Sequence, residues 1–121
     1  MNENKTFITD YIRALSGRDK GPDVIAKYVV DKALTQHIAE IEAAFPKYEL
    51  LCEQIIAEGE LVAVRGQFRG VHHGPFAGIE PTGRSVVAGL IIIYEIQNRK
   101  IVSHWMQFDT FALLNQLQAS S

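Results

Sequence analysis

Four histidines, His37, His72, His73 and His104, hold most of the chemistry available to this sequence. An imidazole titrates near about pH 6.5, so each could act as a general acid or base at neutral pH without large tuning. The same ring is a common metal ligand, but the spacing here argues against a metal site. His72 and His73 are adjacent, and neighbours in an extended segment point opposite ways, so only one of them can face a given pocket. No helical H-x-x-x-H pair exists, and Asp109 has the wrong strand parity to join His104. His72 is the better anchor of its loop. His37 lies three residues after Leu34 and four before Ile41, on the apolar face of a helical segment, which aims it at whatever that helix covers. It can line a cavity rim or bond to another side chain.

Other side chains could serve a ligand. The hydroxyls of Tyr11 and Tyr28 could orient a carbonyl group, or the two rings could be core aromatics with one wet end. Arg65, Gln67 and Arg69 share one strand face and suit pairing with Glu53 or Glu95. Arg84 could meet a carboxylate or pair with Glu80. Cys52 is the single cysteine, which excludes an intrachain disulfide, and it reads as a small buried hydrophobe.

These residues need elements to position them. Phe7, Ile8, Tyr11, Ile12 and Leu15 recur at helical spacing before Gly17, and Gly21-Pro22-Asp23 opens a short second helix. Asp31 suits the cap of a third helix, which carries Leu34, Ile38, Ile41 and Phe45 inward and ends at Pro46, with Glu40 and Glu42 outward. The period then changes to two. Tyr48 to Ala57 and Leu61 to Arg69 read as strands joined at Glu58-Gly59-Glu60. A long Gly- and Pro-broken loop, Gly70 to Arg84, leads to Val86–Ile96, whose β-branched run lacks polar alternation and reads as a strand buried on both faces. The chain turns at Gln97-Asn98-Arg99 and returns as Lys100 to Phe108. Asp109-Thr110 caps a final helix with Phe111, Leu114 and Leu117 inward, and Ala119 to Ser121 read as a frayed end.

Helices segregated from strands mean an α+β fold, with the N-terminal helices packed in the concave face of a strongly curved, mostly antiparallel sheet and a short C-terminal helix. The 121 residues fit one domain spanning 1–121, large enough for a real core. A net charge of -2 gives no basic footprint, so nucleic acid is not an expected partner. Neither an apolar leader nor a span of about 20 apolar residues is visible, so no membrane association is expected and the reading is cytoplasmic.

Four pieces of sequence share a further likeness. They are Gln36-His37 with Ala43-Ala44-Phe45-Pro46; Ala57-Glu58-Gly59 leading to Val62-Ala63-Val64-Arg65; the loop from Gly70 through His72-His73-Gly74-Pro75-Phe76 to Arg84; and Lys100-Ile101-Val102-Ser103-His104-Trp105 ahead of Leu113-Leu114-Asn115-Gln116-Leu117. Together they resemble the SnoaL-like polyketide cyclases, within the nuclear-transport-factor-2-like cone fold. The resemblance implies a cone-shaped pocket, homodimers across the outer sheet face, and no metal or organic cofactor. Cyclases of this family close a ring by an intramolecular aldol step, with an acid directly after the His-Trp pair as general base. Here that position is Met106, which cannot accept a proton, and its cross-strand neighbourhood offers only Ile92.

If the position after His-Trp faces the cavity, strand alternation puts Val102, His104, Met106 and Phe108 inside and Ser103, Trp105 and Gln107 outside. His104 then leads the titratable groups of the hollow, as a general base or as a histidine satisfied by a structural hydrogen bond. An enzyme would use His104 as base with His37 or Tyr28 orienting a small apolar carbonyl compound. A carrier would hold such a metabolite among Phe68, Ile92, Met106 and Phe108 without changing it. A third option is an accessory module that only dimerises. Val87, Gly89, Ile91, Ile93 and Trp105 fall on the outer face, and such a patch favours a homodimer.

Overall fold

The computed structural model describes residues 2–118. Helices α1 (Glu3–Leu15), α2 (Pro22–Ala26) and α3 (Lys32–Ala44) precede strands β1 (Glu49–Glu58), β2 (Leu61–Val71), β3 (Ser85–Gln97) and β4 (Lys100–Phe108), and α4 (Thr110–Gln118) follows. The strands make one antiparallel sheet in the order β1-β2-β3-β4. The architecture is the α+β arrangement that the segregation of helical and strand patterns requires.

Helices α1, α3 and α4 start where a side chain satisfies free N–H groups, whereas α2 opens at Gly21 with Pro22 in its first turn. Asn2 Oδ1 accepts from the backbone of Asn4 and Lys5 at the start of α1, and Asp31 Oδ1 accepts from Ala33 at 3.0 Å and Leu34 at 3.3 Å at the start of α3. Helix α1 buries the full expected stripe, Phe7, Ile8, Tyr11, Ile12 and Leu15, against the inner face of the sheet. Glu42, expected outward, instead turns to Lys20. The buried Lys20 ammonium donates to Glu42 Oε1, Tyr48 O and Arg18 O, each at 3.0 Å, and lies 4.0 Å above the Tyr48 ring. Burial lowers the Lys20 pKa, while Glu42 works to keep it charged. The cluster ties the end of α3 to the chain entering the sheet.

Strand β3 corrects the expectation of a strand buried on both faces. Its burial alternates: Val86, Ala88, Leu90, Ile92, Tyr94 and Ile96 are inside, whereas Val87, Ile91 and Ile93 are exposed. The apolar run therefore supplies two faces of different fate, and nothing among the described residues covers the outer one. Two register shifts interrupt the sheet, and the first moves a residue from its expected face. Between β3 and β4, Glu95 pairs with Ser103 and Ile96 with Ile101, so Val102 is an extra residue and Ile101 takes the fully buried position. Between β1 and β2, Cys52 pairs with Gly66 and Gln54 with Arg65. Glu53 bulges there, and Cys52 is exposed rather than buried.

The end of the sheet is closed by α4. Strand β4 pairs only from Leu90 to Gln97 of β3, leaving the edge at Val87 free. Gln116 fills it, accepting from Val87 N at 2.8 Å and donating to Val87 O at 2.7 Å. Leu113 and Leu117 are the buried residues of α4, while Phe111 is 77% exposed and not part of the stripe. The cap at Asp109, which accepts from Ala112 at 3.0 Å, sets this phase. Arg84 donates to Gln116 O at 3.5 Å and forms no pair with Glu80. On the outer face, Arg65 meets Glu53 and Gln54, and Arg69 meets Glu49; these exposed pairs contribute little.

Candidate functional site

Between α3 and the concave sheet lies a cavity of about 770 Å³, within the range typical of small-molecule sites. Its walls are largely apolar and aromatic: Leu34, Ile38, Phe45, Phe68, Ile92 and Phe108 are among them. The exposed residues Glu40, Ala43, Pro75, Ala77, Gln107 and Thr110 border it and mark the mouth. Alternation along the strands explains the floor, because Phe68, Leu90, Ile92, Met106 and Phe108 all fall on the inner face.

The loop after β2 forms one side of the mouth. His73 N and Gly74 N both donate to Ala44 O at 3.0 Å, tying the loop to the last turn of α3. Phe76 and Ile79 exchange backbone hydrogen bonds at 3.0 and 2.8 Å around Ala77 and Gly78, both at positive φ, which makes a tight turn. This turn sets the Phe76 ring against Phe45, 5.4 Å between centroids. His72 is fully buried. Its Nδ1 accepts from the Thr82 backbone at 3.2 Å and contacts Thr82 Oγ1 at 3.0 Å, and its ring packs on Phe45. It anchors the loop and is not part of the cavity wall.

The polar groups gather at the N-terminal end of α3. His37 lines the cavity. Burial, then the nearby His104, lower its pKa below the ordinary imidazole value, opposed by Glu40. His104 stands just behind the wall, two cross-strand pairs beyond Ile92 and Met106, and opposite Tyr94. Its Nδ1 lies 2.7 Å from Asp31 Oδ2, with the two side chains only 15% and 12% exposed. A carboxylate can only accept, so Nδ1 carries the proton, and a neutral His104 presents its lone pair at Nε2. Burial works to raise the Asp31 carboxyl. The hydrogen bonds from His104 and from the Leu34 and Ala33 backbone, with the His104 charge, carry it below its ordinary value.

Three tyrosines add hydroxyls to the cavity wall. Tyr11, Tyr48 and Tyr94 line the cavity, and burial pushes all three phenols above their ordinary value. Tyr28 lies outside the wall, with its ring between Phe7 and Tyr11. Of the residues singled out from sequence, Tyr11, His37, Phe68, Ile92, Met106 and Phe108 meet at the cavity, and Tyr28, His72 and His104 do not line it. Asp31 and Tyr94 were not among the sequence candidates. Period two from Ile92 reaches Tyr94, whereas no local pattern links Asp31 to His104. Among the described residues no three His, Cys, Asp or Glu side chains converge as a potential metal cluster.

A family model for the SnoaL-like polyketide cyclases matches residues 12–117. This chain belongs to that family. Solved structures share the SnoaL-like fold. A candidate polyketide cyclase from Acidithiobacillus ferrooxidans superposes with a TM-score of 0.85 at 16% identity, covering 99% of this chain and 97% of that one. A candidate SnoaL-like polyketide cyclase from Jannaschia sp. CCS1 gives 0.81 at 18% identity, covering 100% and 98%. AclR from Streptomyces galilaeus, a candidate hydroxylase, gives 0.82 at 25% identity, covering 95% and 80%. A comparison with curated protein sequences returns no match. Among the described residues no helix is long and apolar enough to cross a membrane.

Proposed function

We propose that this SnoaL-like protein takes a small, largely apolar carbonyl compound into its cavity and moves a proton on it without a cofactor. His37 is the group that meets the substrate, and His104, fixed by Asp31, is the second imidazole of the pair. One observation carries this reading: the imidazole of His37 lines the cavity, and the charge of a second imidazole, His104, whose tautomer a carboxylate sets at 2.7 Å, helps to lower the His37 pKa. A lowered pKa keeps His37 neutral at neutral pH, the form that accepts a proton. The competing reading is a carrier of the same shape. Met106 in the wall, where family resemblance implies an acid, supports it.

The test is an NMR titration of the histidine rings between about pH 5 and 8, alone and with aromatic ketones and esters. His37 should titrate below the ordinary imidazole value, and a bound ketone should move that midpoint. A ligand that shifts Met106 resonances but leaves the His37 midpoint fixed would favour the carrier. No response from either residue would remove the cavity from consideration.

The outer sheet face supports a homodimer as the working form. Val87, Ile91, Ile93 and Trp105, the last 55% exposed, make an apolar surface that a single chain leaves in water. Ile91→Asp places a charge at its centre and should turn a dimer into a monomer by light scattering at micromolar concentration. A dimer that persists in this variant would locate the contact elsewhere.

A further inference from the structure

The loop at the cavity mouth is a flap with a neck. Pro75 to Pro81 form its outer part, with Pro75, Phe76 and Ala77 on the cavity side. At the neck His72 N donates to Arg84 O and Gly83 N to His72 O, each at 2.9 Å. The third tie is the His72 ring. Its Nδ1 receives the Thr82 N–H at 3.2 Å and lies 3.0 Å from Thr82 Oγ1. That hydroxyl oxygen already accepts from Arg84 N at 3.2 Å, so its own proton is free to donate to the ring. Nδ1 is therefore the lone-pair nitrogen, and the proton of the neutral ring sits on Nε2. A structural histidine is expected to satisfy both nitrogens, yet Nε2 is buried without a hydrogen-bond partner, alone among the buried side-chain nitrogens and oxygens of the described residues.

We propose that His72 is a proton-operated latch: the neutral ring holds the flap shut at one side of the cavity mouth, and protonation releases it. A proton on Nδ1 turns the acceptor into a donor. The Thr82 hydroxyl can rotate and accept from it, but the Thr82 amide cannot, and two N–H groups then face each other across the neck. The charge also lacks a partner. Around the ring, β2 carries Arg69, α3 and the turn after it carry Glu40, Glu42 and Lys47, the loop carries His73, Glu80 and Arg84, and α4 carries no charged residue. Arg69 pairs with Glu49, Glu40 is bonded to Gln36, Glu42 to Lys20 and the Lys47 backbone, and Arg84 reaches Gln116 O. No ion pair of the described residues includes His72. The Phe45 ring, 5.4 Å away between centroids, attracts a cation but accepts neither N–H in place of a carboxylate. A sealed, unpaired imidazolium is costly, so the segment that covers it gives way. Thr82 to Arg84 then part from His72, with Gly83, at positive φ, as the pivot. The other end stays fixed, because His73 and Gly74 hold Ala44 O. Phe76 swings off Phe45 and the mouth widens. The latch governs access to the cavity, whether the bound molecule is changed there or only carried.

Amide hydrogen exchange of the unliganded protein between about pH 5 and 8, with each rate corrected for the intrinsic effect of pH, tests this. Thr82 and Gly83 should lose about tenfold or more in protection towards the acid end, the scale of one hydrogen bond lost, while Gly74, bonded to Ala44 O, keeps its own. Nuclear Overhauser contacts between the Phe76 and Phe45 rings should weaken over the same range. His72→Asn offers an oxygen acceptor that binds no proton in that range and should hold the flap shut throughout. His72→Leu offers no acceptor and should leave it open throughout. Should neither variant fold, the ring nitrogen signals of the native protein decide, because Nδ1 must gain its proton over the range in which Thr82 loses protection. Thr82 protection that stays constant, that falls equally in His72→Asn, or that falls while the His72 ring stays neutral overturns the latch. Phe76 contacts that survive the loss of Thr82 protection overturn its link to the mouth.

Discussion

Asp31→Ala should lower the stability of the fold by about 2–4 kcal/mol, because one carboxylate holds two structures together. Its Oδ1 caps α3, a contact worth about 1 kcal/mol, and its Oδ2 receives the His104 Nδ1 proton, a charged hydrogen bond worth about 1.5–3 kcal/mol. Asp31→Asn separates the two. Asparagine is as good a cap, but it offers no anionic oxygen to His104, so only the second contribution is lost. Urea unfolding should rank the native protein above Asp31→Asn and Asp31→Ala lowest, with the denaturant slope unchanged.

The pH dependence follows from the direction of the Asp31 shift. Its folded carboxyl sits below the unfolded value, about 3.9, so its contribution is complete above that value and is lost as pH falls through the folded one. The gap between native protein and Asp31→Asn should stay constant from about pH 5 to 7 and close in acid. His37 acts in the same sense: its folded imidazole binds a proton less readily than the unfolded chain does, so the fold weakens as pH drops below about 6.5. A gap that widens in acid would mean that Asp31 is not the ionised partner of His104.

Where local chemistry decided the structure, the sequence was readable. The stripe Phe7, Ile8, Tyr11, Ile12 and Leu15 faces the core because helical spacing leaves it no other face, and His37 reaches the cavity because it shares the phase of Leu34 and Ile41. Strand parity placed Phe68, Ile92, Met106 and Phe108 on one inner surface. Parity failed where a residue was inserted: the bulge at Val102 exchanges it with Ile101. Asp31 was recognisable as a cap and nothing more, since its contact with His104 joins residues 73 positions apart. Glu42 misled for the same reason, its partner Lys20 arriving from the loop before α2. Phe111 shows the limit of counting apolar positions: a helix of nine residues carries two faces, and β3 takes the one with Leu113 and Leu117.

Gly74→Ala should be the costliest single-methyl change at the mouth of the cavity. A Cβ there would stand 2.2 Å from Ala43 O, 3.1 Å from Ala43 C and 3.2 Å from Ala44 Cα, all backbone atoms at the end of α3. No rotamer change relieves such an overlap, so the loop must move, and the bonds from His73 and Gly74 to Ala44 O move with it. The expected loss is about 2–3 kcal/mol in urea unfolding, the scale of an overpacked core. Phe76 would leave its contact with Phe45, so ligand affinity should fall together with stability. Gly78→Ala is the comparison, four residues on in the same loop, with positive φ and open space around its Cβ; it should cost about 1 kcal/mol from backbone strain alone and leave the cavity wall in place. Equal effects of the two substitutions would show that the loop is not seated on α3, and that this side of the mouth is free to open without breaking a contact.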